Sequence, residues 1–419
     1  MATHEPMMIA PTPPTLKNFM RNLRDLPQTI ALSGIVAGFI VVLISYTGPL
    51  LIILQAAENA NLTPEQTSSW VWTAIVGNGI GTILLSLLFR MPLMMPYSTS
   101  GAALLTVSLM RFPFSDAVGA YIITALALAL LGMSGLFGRL MRVVPQPVVL
   151  ALLGGVLLRF GIAIFNTLDD TATSPFLVIA MVVAFFFAKR MQFRAPTLLT
   201  LIVGVIIVAG LGELHFEQVE IMLTVPQVVM PTFSLDAVLS LSLPLFALAL
   251  SSQYAPGLAV LRANHYDAPI NGILTITGLL SAVYAFFGSH GNCLGALTAA
   301  IVVGPDGQPD PDKRYGTAVA SGVWHIILGL FGATIIGLFR GFPPVFVATI
   351  AGLSFVGVIA SSLGGALEHP QYRDAAIVTF LCTAADFTLL GIGAPFWGLI
   401  AGVLVYALMR PRKPAVASV

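Results

Sequence analysis

Polar and apolar positions along this chain alternate on the scale of whole segments, not of single residues. Apolar blocks of roughly 18–25 residues are separated by short polar or charged breaks. A helix of that length, rising about 1.5 Å per residue, crosses a hydrocarbon core about 30 Å thick. The pattern predicts spans at residues 29–56, 67–89, 93–110, 116–138, 146–166, 173–189 and 195–212, then at 236–257, 268–286, 287–303, 316–338, 343–363, 374–390 and 392–409. The fold class expected is therefore an all-α polytopic membrane protein of about 14 transmembrane segments.

Composition agrees. Of 419 residues, 57% are hydrophobic and 9% charged, whereas soluble domains carry about 25% charged residues. So few charges cannot cover a water-soluble surface, which excludes a soluble enzyme or binding module. A formal net charge of +1 gives no electrostatic case for nucleic acid or for an acidic partner. Cys293 and Cys382 fall inside apolar spans and read as packed thiols rather than a disulfide framework. No phosphate-binding glycine loop, metal-ligand cluster or nucleophile–base pair is recognisable, so no cofactor and no enzymatic activity are expected. Gly77-Asn78-Gly79 sits in a span and reads as close helix packing.

Charge matters by position. Lys and Arg collect in short cytoplasmic loops. With the N-terminus inside, 16 of the 19 basic residues fall on the inner side, and only Arg111, Arg159 and Arg340 on the outer half. A wrong span count would scramble that parity. The expected layout is a cytoplasmic tail at 1–28, seven spans within 29–212, an acidic extracytoplasmic connector at 213–235, seven spans within 236–409, and a cytoplasmic tail at 410–419. The first residues lack an apolar signal-peptide core and carry four prolines with Lys17, Arg21 and Arg24, hence the reading as a cytosolic tail.

The two halves resemble each other. Ser45-Tyr46-Thr47-Gly48-Pro49 recurs as Ser252-Gln253-Tyr254-Ala255-Pro256, Gly101-Ala102 as Gly295-Ala296, Pro145 as Pro343, and Leu201-Ile202-x-Gly204-Val205 as Leu399-Ile400-x-Gly402-Val403, at offsets of about 194–207 residues. A repeat of seven spans is odd-numbered, so its second copy enters from the opposite side. That is an inverted repeat, a construction common in secondary transporters.

Spans three and ten are broken in corresponding places. Pro92 to Gly101 holds two prolines and the polar run Tyr97, Ser98, Thr99, Ser100, and Gly288-Ser289-His290-Gly291-Asn292-Cys293 precedes Gly295 in the same way. Irregular backbone at membrane depth is tolerated only where protein buries it or a cavity is lined by it. Each break is expected to be an extended piece followed by a half-helix, whose N-terminus favours an anion. The candidate substrate site is therefore Tyr46, Thr47, Ser98, Thr99, Ser100 and Gly101 from the first half, with Ser252, Gln253, Tyr254, His290, Gly291, Asn292, Cys293 and Gly295 from the second. The plainer readings stand beside it: small-residue helix packing, a kink at Pro256-Gly257, and a helix-interface tyrosine at Tyr254.

These motifs, together with Leu297-Thr298-Ala299-Ala300-Ile301, Asp310-Pro311-Asp312-Lys313-Arg314 and Leu390-Gly391-Ile392-Gly393-Ala394-Pro395-Phe396-Trp397-Gly398, resemble the benzoate:proton symporter (BenE) family over residues 28–409. The resemblance implies the seven-plus-seven inverted-repeat fold of the uracil-permease and anion-exchanger type. There a core domain of spans 1–4 and 8–11 moves against a gate domain of spans 5–7 and 12–14. It also implies uptake of a small aromatic carboxylate with protons. The chain departs from the family pattern at Ser100, Tyr254 and Asn292-Cys293, so the class of substrate carries over rather than one particular acid. An anion channel, a uniporter or a nucleobase-type permease on the same fold is the alternative. The partners implied are the organic anion, protons and the lipid bilayer, with a homo-oligomer left open.

Histidine titrates near neutral pH, which makes His290 the proton-coupling candidate. A structural hydrogen bond is the equal alternative, and His325 reads as packing. Glu368 to Asp374 and Asp306 to Arg314 read as solvated loops without chemistry. Two formal charges remain inside helical spans, Arg159 and Asp386. Each alone costs about 2.5–3.5 kcal/mol at a helix centre, and both lie at similar depth counted from the inner ends of spans five and thirteen. They are expected to form a structural ion pair.

Overall fold

The protein is described by a computed structural model over residues 8–47, 49–140, 145–169, 173–193, 196–214, 221–295, 301–304, 307–385, 387–389 and 392–409. Among these, regular structure is helical apart from a ladder of two-residue strands, Thr388–Leu389 against Ile392–Gly393. The main helices are α1 (Leu16–Asp25), α2 (Leu32–Thr47), α3 (Pro49–Asn59), α4 (Pro64–Phe89), α5 (Thr99–Ser108), α6 (Phe114–Ser134), α7 (Gln146–Asn166), α8 (Ser174–Arg190), α9 (Pro196–Leu211) and α10 (Leu235–Arg262). They continue with α11 (Ile270–Ala285), α12 (Tyr315–Gly329), α13 (Gly332–Arg340), α14 (Pro344–Leu367), α15 (Arg373–Ala384) and α16 (Ala394–Met409). Among the described residues, five of these (α4, α6, α7, α10 and α14) are singly long and apolar enough to cross a membrane, and up to seven spans result if two bent pairs are counted. Three shorter apolar helices, α9, α11 and α16, add to them.

Outward faces confirm the solvent these helices are built for. Leu126, Leu130 and Met133 on α6, and Phe176, Ile179, Val183 and Phe187 on α8, are exposed at helical spacing. A soluble monomer rarely exposes an apolar patch beyond a few hundred Å²; whole apolar faces suit lipid.

Local chemistry sets the ends. Thr63 accepts from the Gln66 N–H while the Gln66 side chain accepts from the Thr63 N–H, a capping box with Pro64 opening α4. Two π-helical turns, Val238–Ser242 and Ala249–Tyr254, interrupt α10. Each is followed by a proline, Pro244 or Pro256, which has no N–H to close the regular bond four residues back. The breaks of spans three and ten are extended, as expected. Pro92 and Pro96 exclude the preceding residues from the helical region, and Gly288 and Gly291 hold φ of +92° and +116°, open to glycine alone at low cost.

The helices associate in two sets. In one, α12 packs on α4 and α2, α11 on α6, and α3 on α5; in the other, α14 and α15 pack on α7, α16 on α15, and α9 on α8. Small residues bring the axes together: Gly79 against Gly322 between α4 and α12, Gly278 against Ala125 and Ala129 between α11 and α6, and Gly155 against Phe380 and Thr383 between α7 and α15. Gly77 meets the Tyr284 ring, so the Gly77-Asn78-Gly79 run is indeed a packing surface.

The structure refines three expectations. The N-terminal segment, expected as a cytoplasmic tail, holds a helix: α1 is knitted to the first set through buried Asn22, which donates to Leu87 O (2.8 Å) and accepts from Arg90 (3.1 Å). Arg90 also pairs with Asp25 at 3.1 Å, and Ile9 N donates to His265 O. Second, Arg314 is not solvated; it is buried and donates to the carbonyls of Gln308, Val303 and Pro309, so it organises its loop. Third, the helix of the thirteenth span ends at Ala384, short of residue 390. At the opposite end from α1, residues 222–232 form a second strap: Thr224 N donates to Leu330 O, Val229 N to Phe286 O and Thr232 N to Ser115 O.

Candidate functional site

The two extended breaks cross and pair. Tyr97 and Asn292 form an antiparallel bridge, and Ser98 N donates to Gly291 O (3.1 Å), Cys293 N to Pro96 O (2.8 Å) and Gly295 N to Met94 O (3.0 Å). The ladder satisfies backbone groups that lipid could not. Gly257 allows the close approach of the second piece to α10, since a side chain there would meet Leu294 and the Gly295 carbonyl. The half-helix expected after Gly295 falls on residues 296–300, which lie outside the described residues.

The first half-helix is α5. Ser98 caps it, accepting from the Gly101 N–H at 3.0 Å. No acceptor among the described residues takes the N–H of Thr99 or Ser100. Gln253 Nε2 approaches Thr99 Oγ1 (3.3 Å) and Ser100 Oγ (3.4 Å) from α10. Gly101 lies under His290 and Leu245: an added Cβ would stand 3.0 Å from each and 3.0 Å from Ser98 Oγ. The hydroxyls of Tyr46, Tyr121 and Ser252 are buried with no partner among the described residues. The Thr47 side chain lies outside them. A cavity of about 10 Å³ sits here, lined by Ser98, Thr124, Leu245, Ser281, His290 and Gly291. That is room for about one water, so the site is closed in this conformation.

Three expected site residues turn out to be braced by protein. His290 Nδ1 accepts from Trp70 Nε1 (3.1 Å) and its Nε2–H donates to Ser98 O (2.7 Å), with the rings of Tyr97 and Tyr121 edge-on. Those partners define the neutral tautomer, because an indole N–H can face only a lone pair. Asn292 donates to Ala74 O and Met95 O and accepts from Ser289, while its backbone N–H donates to Ser281 Oγ; it ties α4 to both breaks. Tyr254 is fully buried and shares a hydrogen bond with Thr277 of α11, away from the α5 N-terminus, so the helix-interface reading fits it. His325 donates from Nδ1 to Ser321 O and packs inside the first set. Trp70, Tyr121 and Thr124 are residues the sequence reading missed. A tryptophan with a polar handle inside an apolar span was a usable signal for Trp70; nothing local marked the other two.

A second, larger cavity of about 670 Å³ opens at the end of α3 and start of α4, against α14, lined by Gln55, Glu58, Asn59, Phe342 and Val347 among others.

A profile of the benzoate membrane transport protein family (BenE) matches residues 28–408. The chain belongs to that family. It is 38% identical to Inner membrane protein YdcO of Escherichia coli over 90% of this chain and 95% of that protein. It is 35% identical to the Benzoate membrane transport protein of Acinetobacter baylyi over 93% and 98%. Solved structures share the fold. The SLC26A9 structure aligns with a TM-score of 0.61 at 14% identity, covering 93% of this chain and 67% of that one. The transmembrane domain of the cyanobacterial bicarbonate transporter BicA aligns at 0.58 and 16%, covering 93% and 97%. The protein is thus a membrane transport protein, not an enzyme, with a helical fold of the SLC26 and BicA kind.

Proposed function

We propose that this chain imports benzoate or a related aromatic carboxylate together with protons, by alternating access across a bacterial inner membrane, with both termini in the cytoplasm. The observation that carries the reading is the crossing of the two extended breaks beside the N-terminus of α5. Two N–H groups there, a partial positive charge and the Gln253 amide suit a carboxylate, and the rings of Tyr46, Tyr97 and Tyr121 suit its aromatic end. Family membership supports the same class of substrate.

Fourteen spans in two inverted repeats are supported by the packing itself. Exchanging the repeats turns the pairing of α4 with α12 into that of α11 with α6, and both pairings occur. The two helix sets correspond to a core and a gate domain. A closed central site with a larger opening between α3 and α14 is what an alternating cycle requires. In this scheme His290 takes up a proton only in a conformation from which Trp70 has withdrawn, which would tie protonation to the opening of the site.

The test is uptake of radiolabelled benzoate into proteoliposomes held at a pH well above the carboxyl pKa of about 4, compared with protein-free vesicles because neutral benzoic acid crosses lipid unaided. Accumulation above equilibrium that collapses with a protonophore is expected. Flux that only equilibrates, or that follows uracil rather than aromatic acids, would replace this reading with a uniporter or a nucleobase permease.

A further inference from the structure

The N-terminal helix α1 carries more than its contacts to the protein require. Around its circumference the side toward Asn22 is buried, with Phe19 packed partly against Leu87, Tyr315 and Val319. The next face exposes Leu16 at 78%, Met20 at 55% and Leu23 at 41%. The face beyond it carries Lys17, Arg21 and Arg24, all exposed. Apolar residues at spacings of three and four beside a basic stripe make an amphipathic helix whose apolar edge is exposed among the described residues.

Its orientation supplies the second observation. The segment Leu16–Gln28 turns by 107° into the first span. If the span runs along the membrane normal, α1 lies nearly in the membrane plane. Leu32 and Val36, just past the turn, are exposed at 78% and 51%, so the apolar edge of α1 continues into a lipid-facing surface. Hydrogen bonds from Asn22 and Arg90, with the Tyr315 hydroxyl on Asn22 O, fix the helix at that height against the ends of α4 and α12.

We propose that α1 is an in-plane anchor that docks on a lipid surface of anionic headgroups, with Leu16, Met20 and Leu23 entering the acyl boundary and Lys17, Arg21 and Arg24 meeting the phosphates. Interfacial helices of this composition bind by buried apolar area plus attraction to anionic lipid. Because α1 is bonded to α4 and α12, the anchor holds that helix set at a fixed depth in its leaflet. The inference rests on membrane insertion alone, so it stands or falls separately from substrate and coupling.

The experiment uses the full chain with Cys382→Ser, Met20→Cys carrying a nitroxide, in nanodiscs of phosphatidylcholine with or without phosphatidylglycerol; Arg21→Cys serves as the water-facing reference. The label at position 20 should favour oxygen over a nickel chelate at least about twofold more than the label at 21, and a fluorophore at 20 should be quenched about twofold more by brominated phosphatidylglycerol than by brominated phosphatidylcholine. Lys17→Gln, Arg21→Gln and Arg24→Gln together should abolish that lipid preference and leave folding intact, as judged by size-exclusion and melting. Equal nickel access at 20 and 21 would place the helix in water, equal quenching by the two lipids in the parent protein would remove the anionic class, and disulfide dimers through position 20 would assign the face to a second copy. Any of the three overturns the proposal.

Discussion

At the scale of single residues, two glycines that look alike in sequence have different jobs. Gly101 is tight: a methyl group there must displace His290, Leu245 or Ser98. Overpacking of that kind costs about 1–3 kcal/mol. Gly101→Ala should raise the KM for the transported acid roughly tenfold, at 1.4 kcal/mol per factor of ten, with near-normal expression; an unchanged KM would move the site elsewhere. Gly291 has open space around its missing side chain but a φ of +116°. Gly291→Ala should lower the melting temperature and yield, as about 1–3 kcal/mol of backbone strain predicts, while surviving protein keeps its KM. For His290 the structure changes the experiment that is informative. Both ring nitrogens are occupied, so Trp70→Phe, which frees Nδ1, should move the pH profile of uptake, whereas His325→Gln should leave it in place. A profile unaffected by Trp70→Phe and His290→Gln alike leaves the proton to the substrate or to water. The bracing of His290 was not legible in the sequence, because its partners Trp70 and Ser98 stand 220 and 192 residues away along the chain.

At the scale of elements, the broken spans were legible and the N-terminal helix was not. Proline and glycine act through their own backbone and announce a break wherever they stand. The helix α1 was hidden by its short length and polar content, although Thr15 as cap and the spacing of Leu16, Phe19, Met20 and Leu23 were signals for it. The expected pair of Arg159 and Asp386 involves a side chain and a residue outside the described ones. The helices that carry them are nonetheless informative. Ala151 shares a buried cluster with Ala376, and one turn on Gly155 meets Phe380 and Thr383, so α7 and α15 rise together. The pair itself remains our expectation. Arg159→Gln or Asp386→Asn alone should cost expression, and the double change should partly restore it, because a lone buried charge is worse than none. A double variant as poor as the worse single one would refute the pairing.

At the scale of the molecule, the two helix sets are expected to move against each other as bodies. Each end of the first set is strapped, by residues 8–25 at one end and 222–232 at the other. In a Cys382→Ser background, a short cross-linker between Leu54→Cys and Val347→Cys, which both line the larger cavity between α3 and α14, should stop uptake. A link between Ser115→Cys and Thr232→Cys, within one set, should leave uptake intact; inhibition by both links or by neither would argue against two bodies. The sequence by itself determined the membrane setting, the positions of most helices and the two breaks, since segment hydropathy, proline and glycine act locally and need no partner. The tertiary structure alone decided which breaks cross, that His290, Asn292 and Tyr254 are held by protein groups, and that the N-terminal segment holds a helix bonded to α4 and α12. Those outcomes depend on hydrogen bonds and side-chain contacts between residues distant in sequence, and a one-dimensional pattern of apolar and polar positions does not encode which of many buried polar groups will meet.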